Sequence, residues 1–97
     1  MNETTLQLDH LSTENLLLLQ AYHVRAAALK GGEDFDGWVE RIDQLESVEV
    51  EDLTRLHGQL IAMGHLKFEI TGRSVGLRYQ LSPRGRQALE SASAKAA

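Results

Sequence analysis

No cysteine occurs in this sequence, and Pro83 is its only proline. Disulfides and thiolate metal ligands are thereby excluded, and nothing calls for an oxidising compartment. Aromatic side chains are few, with one Trp, two Tyr and two Phe. Phe35 and Trp38 are expected in the core rather than on a base-stacking platform. Long apolar runs are also missing: the longest, Leu16 to Leu19, is far too short to span a bilayer. The opening segment, MNETTLQLDH, lacks the basic-then-apolar order of a secretory signal. The expectation is a cytoplasmic protein with no membrane partner.

What is present, 97 residues of which 42% are hydrophobic, is enough for one domain with a modest core. Net charge is −4, but the two halves differ sharply. Residues 1 to 52 hold Arg25, Lys30 and Arg41 against twelve acids, a balance of −9. Residues 53 to 97 hold Arg55, Lys67, Arg73, Arg78, Arg84, Arg86 and Lys95 against Glu69 and Glu90, a balance of +5. A basic carboxy-terminal half could face a polyanion.

Residues 1 to 11 show no clear period and read as an arm, or as a short extended piece through Leu6, Leu8 and Leu11. Ser12 or Thr13 can cap a first helix that runs to Lys30 and stops at Gly31-Gly32, giving a helical segment over 12–31. This helix is apolar most of the way round. Either several elements bury it, or it also packs against a second subunit. The favoured expectation is a homodimer through this helix, with Leu16, Leu18, Leu19 and Tyr22 at the interface. A second helix is expected from an Asp36 cap to Leu45 or Glu46, because Trp38, Ile42 and Leu45 fall on one helical face. A third covers Val50 to Met63 and ends at Gly64, with Leu53, Leu56, Leu60 and Met63 as its buried stripe. Gly58, in the middle of that helix, costs about 1 kcal/mol relative to alanine. With Thr54 and Ala62 it forms a small-residue strip that a neighbouring backbone could approach.

From Leu66 the period changes to two. Leu66, Phe68 and Ile70 alternate with Lys67 and Glu69, and Val75, Leu77, Tyr79 and Leu81 alternate with Gly76, Arg78 and Gln80. Two half-buried strands over 65–81 follow, closed by Thr71-Gly72-Arg73-Ser74. Ser82 then caps a last helix over 82–95, with Pro83 at its first position, where a missing N–H costs nothing. The order helix, turn, helix, L-I-A-M-G-H-L, hairpin and Y-Q-L-S-P-R-G-R-Q-A-L resembles the DNA-binding domains of MarR-like and PadR-like bacterial regulators. The residues that carry the resemblance are Leu60, Gly64, Tyr79, Leu81, Ser82, Pro83 and Gly85, within about residues 36 to 90.

The resemblance implies a winged helix-turn-helix: mainly α with a β-hairpin (α+β), a three-helix core over 12–63, a two-stranded wing and a carboxy-terminal helix, all one domain over 1–97. Two departures stand out. Ile42 and Glu46-Ser47 replace the family's alanine and turn glycine, so a longer or less regular turn is expected. GGEDFD at 31–36 offers no short strand, so the sheet is expected to be the hairpin alone.

The resemblance further implies duplex DNA as partner and a role in transcription regulation. The third helix would enter the major groove, with Arg55 forking onto guanine, Gln59 onto adenine and Thr54 beside them. Lys67, Arg73 and Arg78 on the wing, and Arg84 and Arg86 opening the last helix, would meet phosphates. Glu49, Glu51 and Asp52 oppose this, because they set negative charge where phosphates would approach. The competing expectation is a winged helix used as a protein–protein interaction module, its acidic surface docking on a basic partner. No catalytic residue, metal site or cofactor is expected. His10, His23, His57 and His65 lack ligand spacing and read as surface or boundary residues.

Overall fold

The computed structural model describes residues 11–32, 35–71 and 76–96. Among them are three helices, α1 (Thr13–Leu29), α2 (Val50–Ala62) and α3 (Pro83–Ala96), and three strands, β1 (Val39–Glu40), β2 (Leu66–Thr71) and β3 (Gly76–Leu81). The strands form one antiparallel sheet in the order β1-β3-β2, so the architecture is α+β.

Ser12 starts α1 through reciprocal bonds. Its Oγ accepts the Asn15 N–H at 3.0 Å, and its own N–H donates to Asn15 Oδ1 at 3.1 Å. This is a capping box with asparagine in the third position. Asn15, Leu18, Leu19 and Tyr22 share the buried face. The helix touches α2, α3, β1 and β3, which explains why so much of its circumference is apolar. Leu18 and Leu19 are fully buried and Tyr22 is 1% exposed, all within the chain's own core. They are therefore unavailable to a second subunit, contrary to expectation. Leu16 is half-buried, and the outward apolar residues are Leu17, Val24 and Leu29.

The expected second helix over 36–46 is absent. Gly37 has φ +94° and Ser47 φ +73°, neither compatible with a continuing helix. Asp36 does bind a nearby N–H, but it is that of Trp38, two residues on, at 3.2 Å. That is an Asx turn, which the same residue type favours as readily as a helix cap. Val39 and Glu40 then pair with Tyr79 and Arg78, adding the third strand that the sequence did not announce. Leu45 and Val48 form an isolated bridge before α2.

α2 buries Leu53, Leu56, His57 and Leu60, and Met63 lies only half-buried at its cap. His57 replaces the expected surface histidine. Its Nδ1–H donates to the Leu53 carbonyl at 2.7 Å, which leaves Nε2 to accept the Tyr22 hydroxyl, also at 2.7 Å. The Tyr22 oxygen accepts the Ile42 N–H at 2.9 Å. Every polar atom in this chain of contacts is satisfied, and the three rings of Tyr22, His57 and Tyr79 pack together at centroid distances of 4.9–5.7 Å. Burial holds His57 neutral, below its ordinary pKa, and pushes the Tyr22 hydroxyl well above its own. His65 is also buried, whereas His23 is exposed.

α2 ends where Gly64 takes φ +82°, and the chain turns straight into β2. The two expected strands pair antiparallel, from Leu66 opposite Leu81 to Thr71 opposite Gly76. Ser82 closes the hairpin onto both helices. Its Oγ donates to the Gly64 carbonyl at 2.6 Å and accepts the Gly85 N–H at 3.0 Å, while its N–H donates to His65 O at 3.1 Å. A side chain at position 85 would place its Cβ 2.2 Å from the His65 carbonyl oxygen, so only glycine lets α3 come this close.

Candidate nucleic-acid interface

The outward face of α2 carries Glu51, Thr54, Arg55, Gly58, Gln59 and Ala62, all exposed. Its helical phase sets them there, because the leucine stripe occupies the opposite side. Arg55 lies 3.5 Å from both Glu14 of α1 and Asp52 one turn back. Gln59 Oε1 accepts a hydrogen bond from Asn15 Nδ2 at 3.2 Å. Arg55 and Gln59 thus border one shallow depression with Ser12, Glu14 and Asn15. Thr54 Oγ1 accepts from the guanidinium of Arg41 at 3.2 Å, and that same guanidinium is ion-paired with Asp43.

The cations of the sheet are placed differently. Arg78 bridges two carboxylates, that of Asp36 at 3.0 Å and that of Glu69 on the neighbouring strand. Its hydrogen bond to Glu69, more than any other contact, holds its pKa above the ordinary arginine value. The Trp38 N–H, followed by the Arg78 guanidinium, holds Asp36 below the usual carboxylate range. Lys67 is exposed on the same outer face of the sheet, opposite Gln80. Arg73 lies outside the described residues. Arg84 and Arg86 are exposed in the first turn of α3. Arg86 lines an open cleft of roughly 300 Å³ with Lys30, Phe35 and Gln80, apart from Arg55 and Gln59.

The arrangement therefore gathers Arg55, Gln59 and Thr54 on α2, sets Lys67 and Arg78 on one face of the sheet, and sets Arg86 elsewhere. Exposed ion pairs contribute only about 0–1 kcal/mol, so a strong ligand could open them. The acids would remain. In the sequence leading into α2, residues 40 to 52 hold six acids, Glu40, Asp43, Glu46, Glu49, Glu51 and Asp52, and a single base, Arg41. All six acids except the half-buried Asp52 are exposed.

Among the described residues nothing lies within 4 Å of where a Gly58 Cβ would stand, so no contact among them requires glycine there. Sequence reasoning did not find Arg41, Asp36 or Asn15 as partners of the expected site residues. The S-x-x-N spacing from Ser12 was the one available signal for Asn15. The others depend on which strands and loops meet. Among the described residues no group of acids and histidines is placed to hold a metal ion, and no helix is long and apolar enough to cross a membrane. Comparison with protein-family models, with curated proteins and with solved structures finds no match to this chain.

Proposed function

We propose that this chain is a winged-helix module that binds a basic segment of a protein partner through the acidic surface at the start of α2. The element order supports the winged-helix reading. A short β1 lies beside β3, α2 leads directly into β2, and the hairpin is followed by a capped helix. The observation that carries the interaction reading is the state of α2's cation. Arg55 already faces Glu14 and Asp52, while Glu46, Glu49 and Glu51 stand exposed around the helix start. A phosphate backbone meets like charge there, and a lysine- or arginine-rich peptide meets opposite charge.

Duplex DNA is the second reading, favoured by the exposed Lys67 on the hairpin and the +5 balance of residues 53–97. In that case Arg73, Lys67 and the start of α3 supply the contacts, and the role is transcription regulation. Fluorescence anisotropy separates the two. A labelled arginine-rich peptide and a random-sequence duplex are each titrated with the protein at low and moderate salt. Salt-sensitive peptide binding, lost in the Glu49→Gln/Glu51→Gln variant, supports the protein-interaction reading. Duplex binding with a log–log salt slope of roughly −3 to −4.5, weakened by Arg73→Ala, replaces it with DNA contact at three to five phosphates.

A further inference from the structure

β2 is an edge strand: β3 covers one side of it, and no strand among the described residues covers the other. The Ser82 N–H donates to His65 O, so 65/82 is a hydrogen-bonded pair, and alternation assigns 67/80, 69/78 and 71/76 to the same class. Leu66, Phe68 and Ile70 consequently direct their N–H and C=O groups away from β3, into the open edge. Their side chains lie on the sheet face that the helices pack against, but the cover runs out toward the hairpin tip. Exposure rises from 2% at Leu66 to 47% at Phe68 and 73% at Ile70, and Leu77 opposite Ile70 is exposed as well. An edge with open backbone groups and an uncovered apolar row is a template for strand addition.

We infer that a second copy of this chain occupies that edge, β2 pairing antiparallel with its own equivalent about a two-fold axis at Phe68. The charges select both the occupant and the register. Because only the even-numbered residues offer edge hydrogen bonds, antiparallel self-pairing can be centred at 67, 68 or 69. Centred at 67, Lys67 faces its own copy; centred at 69, Glu69 does. Centred at Phe68, each Lys67 faces the other chain's Glu69, Phe68 meets Phe68, and the exposed Ile70 meets the buried base position, Leu66. Leu66, Phe68 and Ile70 of each chain then supply six backbone hydrogen bonds. Opposite charges directly across an antiparallel pair are favourable and like charges unfavourable, so the centred register is the one that survives.

The outer face extends the pattern. Glu40 lies beside Arg78, and Arg78 beside Glu69, to which it is ion-paired. The partner's Lys67 would continue this row with the alternating sign kept across the joined sheet. A second copy of the same chain thus brings an acid, Glu69, opposite the lysine that would deter foreign strands. This dimer uses β2 and not α1, and it is independent of what the acidic surface binds.

Sedimentation velocity on wild type, Lys67→Glu, Glu69→Lys and an equimolar mixture of the two variants tests the pairing. Wild type is expected at the mass of two chains. Each single variant puts like charges in both facing positions and should associate at least about tenfold more weakly. The mixture restores opposite charges at every pair and should return to two chains. Circular dichroism identifies any variant that fails to fold, Glu69→Lys being the one that loses the Arg78 contact. Amide exchange on wild type needs no variant: raising the concentration should slow exchange at Leu66, Phe68 and Ile70. A monomer at millimolar concentration overturns the inference. So does a dimer indifferent to both charge reversals, or one whose concentration-dependent protection lies elsewhere, such as the Leu17–Val24 face of α1.

Discussion

Two segments flank α2, and they are built on opposite terms. After it, residues 64–71 and 76–86 hold a turn, two strands and a helix cap, each announced by neighbouring residues and tied together by bonds within the segment itself. Gly64 supplies the positive φ, alternation supplies the strands, and Ser82 ties the Gly64 carbonyl, His65 O and the Gly85 N–H together. Before it, residues 36–49 are held by distant partners. Val39 pairs with Tyr79, the Ile42 N–H is taken by the Tyr22 hydroxyl, and Asp36 reaches Arg78. The lesson is that spacing alone misleads where the backbone is satisfied from elsewhere. Trp38, Ile42 and Leu45 have helical spacing, yet the chain there is a strand, a loop and a bridge.

The comparison can be broken at either segment. Gly85→Ala should do the most damage, because its Cβ would meet the backbone oxygen of His65 at 2.2 Å and neither helix start nor hairpin base can yield alone. A loss of about 3 kcal/mol is expected by urea unfolding, at the upper end of overpacking effects. If the variant were as stable as wild type, the close approach of α3 to β2 would not be holding the carboxy-terminal half together.

Tyr22→Phe attacks the other segment. It keeps the ring but strands the Ile42 N–H and His57 Nε2, both buried, for a loss of about 2 kcal/mol. Faster amide exchange should follow at residues 41–45 before it does in the hairpin. Uniform loosening across both segments would show that they are not separately supported.

Acidification probes the same contacts more gently. The folded state holds His57 below its ordinary pKa of about 6.5. Above pH 6.5 the imidazole is neutral in both states and the stabilising contribution is complete. As pH falls below 6.5 the unfolded chain binds a proton that the folded chain resists, so stability declines until the depressed folded pKa is reached. The slope from this one site approaches at most about 1.4 kcal/mol per pH unit. Denaturant midpoints measured between pH 7.5 and 5 should show this decline in wild type and a flatter profile in His57→Gln.

Gly58→Ala, on the helix between the two segments, carries the smallest effect and the opposite sign. The site is exposed and empty, so α2 should gain about 1 kcal/mol, seen as a rise in thermal midpoint. A loss instead would mean that something outside the described residues, or a second copy, presses on that face.

Much of the carboxy-terminal half was legible because its signals are local and mutually consistent: alternation, a Ser-Pro cap and a glycine after the helix. α1 was legible as a helix but misread as an interface. Leu18, Leu19 and Tyr22 look surplus only until four other elements are found packed around that helix. The candidate site was legible as a set of side chains and illegible as a set of charges. Asp43 and Asp52 lie near Arg41 and Arg55 in sequence, but Glu14 is 41 residues from Arg55 and Asp36 is 42 from Arg78, and these distant pairings carry no mark in the sequence.

By itself, then, the sequence determined the helices observed at 13–29, 50–62 and 83–96 to within two residues at each end, the alternation of the two paired strands, and Ser12, Gly64 and Ser82 as residues that cap or stop them. Backbone propensity and side-chain period act over a few residues and need no knowledge of the rest. Tertiary structure alone decided that residues 39 and 40 join the sheet, that His57 is a core residue, and that Arg78, expected to meet phosphates, bridges two carboxylates. Those outcomes depend on which surfaces are brought together. Burial, dielectric and ion pairing are properties of the assembled neighbourhood and of no single segment.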